Sequence, residues 1–275
     1  MLSFLRVALM ALLVAVSMPA HALRNYQDMW WLPTESGWGL KVLHQGDTIS
    51  AVLFHYRSDR MPVWYLLSNA VISPAGEIYS GTLFETNGPP LFGAFDPATV
   101  TTRAVGTMTL RFDSRTSAQV DYSIDGQLTS KPIQRITFKA LDVNGSFIGA
   151  QTAFANCSNP AQVGNYIIPG SFVIAGGRLT RVTLTTSLIN SGQVTCEYLG
   201  AFPQAGSLIT GMGDFSCRNS NGATTQFGQF EVEEMHVSDH SVTINFRNTS
   251  VFPATGGLSC VERGVISGTR LQNAN

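Results

Sequence analysis

Charge is scarce in this chain: lysine, arginine, aspartate and glutamate make up 13% of its 275 residues, and no stretch gathers basic residues into a stripe. A nucleic-acid or anionic-membrane partner needs a basic stripe, and the densest basic spot, Arg57-Ser58-Asp59-Arg60, reads as a turn. No nucleic-acid partner is expected. Long apolar runs are missing too: the N-terminal run over 7–16 is too short to cross a bilayer, so no membrane span is expected. Catalytic signatures are equally absent. The chain holds no G-x-S-x-G elbow, no H-E-x-x-H helix, no S-x-x-K and no phosphate-binding loop, which removes the usual nucleophiles and cofactor cradles. No cofactor is expected. Cysteine is absent before Cys157, and no C-x-x-C pair exists anywhere, which argues against a zinc site.

What is present begins with an export signal. Arg6, the apolar run 7–16, Met18-Pro19 and the small-x-small ending Ala20-His21-Ala22 have the layout of a secretory signal peptide cut after Ala22. The expected location is the periplasm or the exterior. With no cysteine following the cut, a lipid-anchored N-terminus is not expected. Of the 275 residues 253 would remain, enough for two β domains. Loss of Arg6 leaves 16 basic residues against 18 acidic ones, a formal charge of −2.

In an exported chain an even cysteine count favours disulfides. The midpoint of Cys196 and Cys217 falls at Gly206-Ser207, inside the turn-like run Phe202-Pro203-Gln204-Ala205-Gly206-Ser207, and that of Cys157 and Cys260 falls at Leu208-Ile209. Nested bridges, Cys196 to Cys217 inside Cys157 to Cys260, are expected.

Hydrophobic periodicity is that of strands throughout. The first half predicts strands at 39–45, 48–56, 62–70, 78–86, 105–113, 118–125 and 133–140, separated by turn chemistry such as Gln45-Gly46-Asp47 and Asp125-Gly126. The fold class is all-β: an antiparallel meander closing as an up-and-down barrel, with an open sandwich as the alternative, then a smaller disulfide-stapled antiparallel domain. The second half predicts shorter strands at 164–168, 171–175, 179–188, 193–199, 207–215, 225–230, 231–237, 241–246 and 264–269. Asn144-Gly145 is a two-residue hairpin signal between 133–143 and 146–154. The expected organisation is 1–22 signal, 23–140 barrel, 141–156 hairpin or linker, and 157–275 disulfide domain. The insertion 88–97, with three prolines, Phe92 and Phe95, reads as a long loop of the kind that carries binding surfaces.

The most distinctive stretch is Met29-Trp30-Trp31-Leu32-Pro33-Thr34-Glu35-Ser36-Gly37-Trp38-Gly39-Leu40. With His44-Gln45-Gly46-Asp47, Pro62-Val63-Trp64-Tyr65, Tyr79-Ser80-Gly81 and Cys157-Ser158-Asn159-Pro160 it resembles a family of exported bacterial proteins carrying a WWxPxESGWG-type β domain. The resemblance covers most of the mature chain. It implies export, β architecture and a bacterial source, and it implies no activity. Gly37-Trp38 also resembles the tryptophan region of lipocalin and avidin-like barrels, which would place Trp38 near Arg135 of the last strand. That likeness concerns architecture.

Trp38 and Trp64 read first as core plugs. The functional reading gathers Trp38, Trp64, Tyr56, Tyr65 and His55 as a ligand platform in the barrel mouth, for a sugar ring or a small apolar ligand. The segments 51–56 and 63–67 are apolar on both faces, which calls for a cover on the outside of that hairpin. His44 and His55 could face each other and, with Glu35 or Asp47, act on a proton or a metal; surface histidines are the simpler reading. Glu233-Glu234-Met235-His236 and His240 look metal-like, but residues four apart on a strand stand about 13 Å apart. No metal ligand set and no catalytic residue is assigned. The function expected is an exported non-catalytic binding module with a small-molecule, glycan or protein partner. The alternatives are a hydrolase, for which Glu35, Asp47 and His55 are the first candidates, and a structural envelope component.

Overall fold

The computed structural model describes residues 24–90, 92–176, 180–188 and 192–271. The expected signal segment lies outside them. By contact the described chain forms two units: Thr34–Ile133 with the residues up to Gln27, and Asp28–Pro33 with Gln134 onward.

The first eight strands are β1 (Asp28–Trp31), β2 (Gly39–Gln45), β3 (Thr48–Tyr56), β4 (Pro62–Ser73), β5 (Gly76–Asn87), β6 (Thr101–Phe112), β7 (Ser117–Ile124) and β8 (Gln127–Arg135). They run in sequence order around a closed antiparallel barrel. Alternation puts every second side chain inside: Ile49, Ala51 and Leu53 on β3, Tyr65 and Leu67 on β4, and Met108 and Leu110 on β6 are buried. The Asp125-Gly126 turn has positive φ at both residues, 48° and 83°, the two-residue geometry whose twist matches its strands. Tyr26 lies fully buried against one end, stacked on Phe112 with ring centroids 3.6 Å apart.

The second set is β9 (Gly145–Cys157), β10 (Gly164–Ala175), β11 (Thr180–Leu188), β12 (Gly192–Ala201), β13 (Gln204–Ala205), β14 (Leu208–Asn219), β15 (Thr224–Val237), β16 (Ser241–Phe252) and β17 (Leu258–Arg270). Here too the sheet closes: β12 pairs with β14, and β17 returns to β9, leaving the two-residue β13 beside the ring. The second domain is therefore a barrel of long strands, not the smaller sheet of short ones expected. Segments split in the sequence reading are single strands, β10 through Pro169-Gly170 and β15 through Phe230-Glu231. Glycine is part of the reason. A Cβ on Gly228 would collide with the Thr249 carbonyl, and one on Gly264 with that of Thr152, so these positions permit close strand approach and do not end strands.

The Asn144-Gly145 hairpin does not form. Residues 136–144 carry no strand, and β9 takes its partners from β10 and β17. The Asn144 side chain instead bonds locally, donating to Asp142 at 2.7 Å and accepting from the Gly176 amide. The segment assigned as hairpin or linker is thus the approach to, and the body of, the second barrel's first strand.

Both expected disulfides are present, and each joins residues directly opposite on paired strands: Cys196 with Cys217 across β12 and β14, Cys157 with Cys260 across β9 and β17. The outer bridge crosses the closing seam. At the same seam Arg270 stands opposite Phe147, its guanidinium 4.9 Å from the ring centre. The first barrel repeats this arrangement, with Arg135 opposite Trp30 at 5.0 Å. The tryptophan beside Arg135 is Trp30, not Trp38. Arg135 also pairs with Asp28 at 3.0 Å, both side chains being less than 10% exposed, and Asp28 accepts from the Ser207 amide at 2.8 Å and hydroxyl at 3.0 Å.

Breaking a buried pair strands the remaining charge. Arg135→Met is expected to destabilise by about 3–5 kcal/mol. All four tryptophans lie in the first 64 residues, so urea titration followed by tryptophan emission reads this loss. Replacing Cys157 and Cys260 by serine is expected to cost about 2–5 kcal/mol, read from circular dichroism melts.

Candidate functional site

One end of the first barrel is open and polar. Past the apolar layer, alternation continues inward with His55 on β3, Tyr65 on β4, Glu85 on β5 and Tyr122 on β7, and the turns add Arg57 and Asp125. These residues and Arg103 of β6 line a cavity of about 700 Å³. That volume suits a small ligand. The mouth arises because β3–β4, β5–β6 and β7–β8 turn at the same end. Two residue pairs beyond Glu85 and Arg103 the β5–β6 hairpin opens into the proline-rich loop, so the insertion stands at the mouth. In it Phe92 is 96% exposed and Phe95 half exposed; Leu91 lies outside the described residues.

The charged groups form a chain. Arg57 reaches Glu85 at 2.6 Å, Arg103 reaches the other Glu85 oxygen at 2.8 Å, and Arg103 also reaches Asp125 at 2.6 Å. Hydrogen bonding from Arg103 is the largest influence holding both carboxyls below their ordinary range, and those two carboxylates in turn raise Arg103. Burial raises the Tyr65 hydroxyl, with the Glu85 charge adding to it.

His55 sits among aromatic rings, 5.2 Å from Tyr65 and 6.4 Å from Tyr122 by centroids. Its bond to the Tyr56 backbone engages one ring nitrogen and leaves Nε2 buried with no protein partner. A neutral ring in that state offers a hydrogen-bond acceptor to whatever enters. Burial lowers the His55 pKa, which keeps the ring neutral.

Of the five residues expected as a ligand platform, the structure brings His55, Tyr56 and Tyr65 to this mouth. Trp64 and Trp38 do not line it. Trp64 alternates with Tyr65 and therefore faces outward, 46% exposed and paired with Phe54, itself 44% exposed. Among the described side chains this outer strip is open, so the expected cover is not seen in the barrel itself. Trp38 is half-buried in the β1–β2 loop, donating to Glu35 at 3.2 Å, while Lys131 reaches the same carboxylate at 2.7 Å. Neighbouring Gly37 has φ of 113° and packs against the Tyr56 ring, which brings this loop to the rim. Neither Trp38 nor Trp64 is the barrel's plug; Trp30, fully buried, fills that role.

The catalytic candidates scatter. His44 and His55 do not meet: His44 pairs with Ile49 and packs on Tyr26 and Tyr79. Asp47 bonds to Thr48, and Glu35 is bound to Lys131. His236 bonds to Glu234 at 2.7 Å, and no cluster of three or more possible metal ligands occurs among the described residues. Residues missed in the sequence are Arg57, Glu85, Arg103, Tyr122 and Asp125. Tyr122 had a signal, the alternation Ala118-x-Val120-x-Tyr122. Arg57 and Asp125 stood only in segments read as turns, and no local pattern marked Glu85 or Arg103.

No family model and no curated protein matches the chain.

The His55 ring resonance should titrate with a midpoint below the ordinary 6.5. Its folded-state pKa is depressed, so its contribution to stability is complete above the unfolded value and is lost as pH falls through the folded one. The stability difference between wild type and His55→Asn should therefore shrink on acidification from pH 7 to 5. A nuclear magnetic resonance midpoint at or above 6.5 contradicts this.

Proposed function

We propose that the protein is an exported, non-catalytic binding module whose first barrel takes a polyhydroxylated ligand, a saccharide, in its mouth. The observation that carries this reading is the unpartnered Nε2 of His55 in a cavity walled by tyrosines and a chain of ion pairs. Each sugar hydroxyl both donates and accepts. The mouth supplies fixed donors in Arg57 and Arg103, fixed acceptors in Glu85, Asp125 and His55, and tyrosine faces for the C–H side of a ring. Phe92 and Phe95 on the mouth loop add apolar surface that a bound ring can cover.

The same electrostatics favour binding over hydrolysis. Glycoside hydrolysis with two carboxyls needs one of them to hold a proton, whereas Arg103 keeps both Glu85 and Asp125 ionised. The two disulfides are compatible with an oxidising compartment, and the signal-like N-terminus and the resemblance to exported bacterial proteins point to the periplasm or beyond.

Isothermal titration against a panel of soluble glycans and peptidoglycan fragments tests the proposal. A binding glycan should lose at least tenfold in affinity, about 1.4 kcal/mol, in Tyr122→Ala and in His55→Asn. Trp64→Ala, on the outer face, should leave affinity unchanged. Binding abolished by Trp64→Ala but unaffected by Tyr122→Ala would move the site to the outer strip, and a panel without binders would remove the saccharide reading.

A further inference from the structure

The second barrel contains a cavity of its own, independent of the first barrel's mouth. It measures about 440 Å³ and is walled by Ile168, Leu184, Val194, Phe252 and both disulfides. Into this wall, which also carries the neutral polar Gln162, Asn219 and Thr225, β17 inserts one carboxyl. Strand alternation places Glu262 on the same face as Cys260, and it is 5% exposed. Its hydrogen-bond partners are all uncharged: Gln226 donates at 3.3 Å, Asn248 at 3.5 Å, and the Tyr166 hydroxyl also donates to it. Tyr166 is positioned by Gln151, which donates to its oxygen at 2.7 Å. Asn248 is 1% exposed, and its Oδ1 has no partner.

A buried carboxyl held only by neutral donors is incompletely compensated when charged. The same fold satisfies its other deeply buried carboxylate, Asp28, with an arginine; Glu262 has no lysine, arginine or histidine partner among the described residues. Burial accordingly raises the Glu262 pKa, against the lowering effect of its three donors. A cation would compensate the Glu262 charge, and the space beside it is lined by aliphatic and aromatic side chains together with the neutral polar Gln151, Gln162, Asn219, Thr225 and Gln226. Tyr198 and Tyr166 line the same cavity, and ring faces attract organic cations.

We propose that this cavity binds a small organic ammonium ion with an apolar body, the nitrogen against Glu262 and the body along the aliphatic and tyrosine wall. The bound cation needs the ionised carboxyl, so binding displaces the Glu262 proton whenever it is present. Affinity therefore rises as pH increases through the Glu262 titration. The other groups facing Glu262 do not compete in that range: Tyr166 and Tyr198 are pushed up by burial and stay neutral, Gln151, Gln226 and Asn248 do not titrate, and the cysteines are bridged.

The test compares 2-phenylethylammonium with its neutral isostere 2-phenylethanol, by isothermal titration of the oxidised protein at pH 5 and pH 7. The ammonium ion is expected to bind at least tenfold more tightly than the alcohol at pH 7. That ratio should shrink at pH 5 and collapse in Glu262→Gln, which keeps the side chain's shape. A ratio that stays the same between pH 5 and pH 7 would overturn the assignment. Equal binding of both compounds, binding of neither, or a preference that survives Glu262→Gln would also overturn it. Should Glu262→Gln fail to fold, the wild-type ratio and its pH dependence decide.

Discussion

The return of the last strand to the first is the constraint on which the rest depends. An open eight-stranded sheet would leave two edges of unpaired amides and carbonyls; closure removes them and turns one face inward along every strand. The two seams are secured to different extents. In the first barrel only two residue pairs join β1 to β8, backed by a buried ion pair; in the second, eleven pairs join β9 to β17, with a disulfide across them. Both place an arginine of the last strand over a fully buried aromatic of the first. The guanidinium caps the apolar interior at the seam while its charge meets acceptors: the Asp28 carboxylate for Arg135, the Asn144 and Ser238 carbonyls for Arg270.

Closure also explains why each interior has a filled end and an open one. Along β3 the inward series runs Ile49, Ala51, Leu53, His55, from apolar to polar. Along β17 it runs from Arg270 and Ile266 through Gly264 to Glu262 and Cys260. Strand alternation carries on past the apolar layer, and whatever it then points inward lines a cavity. In the first barrel the polar groups compensate one another as a chain of ion pairs. In the second a single carboxyl stands among neutral donors, so the two cavities differ in the chemistry they offer.

Much of this was legible in the chain. The limits of β2 and β3 coincide with the alternation read from residues, and the nested cysteines pair as their spacing about one turn implied. The misreadings have physical causes. β1 is four residues long, too short to show a period. β8 was displaced because the residues on its inward face near the mouth, Thr129 and Lys131, are polar, so the apolar alternation that marks a strand is missing there. The Asn144-Gly145 pair has hairpin chemistry, but its asparagine caps the path into β9, since β10 and β17 offer that strand a complete set of backbone partners.

Of the candidate site, the aromatics and His55 were visible because such residues are conspicuous by type, and Trp64 was misplaced because the chain does not say which face of a strand points inward. What the sequence by itself determined was local: strand periodicity, turn positions and the bridging of the cysteines, all set by neighbours within a hairpin or by redox chemistry. Which faces became interior, and therefore which residues meet, was decided only by closure. Arg57, Glu85, Arg103 and Asp125 lie on or beside different strands, and Glu262 has its donors on three others. Their encounter is long-range, and no local pattern encodes it.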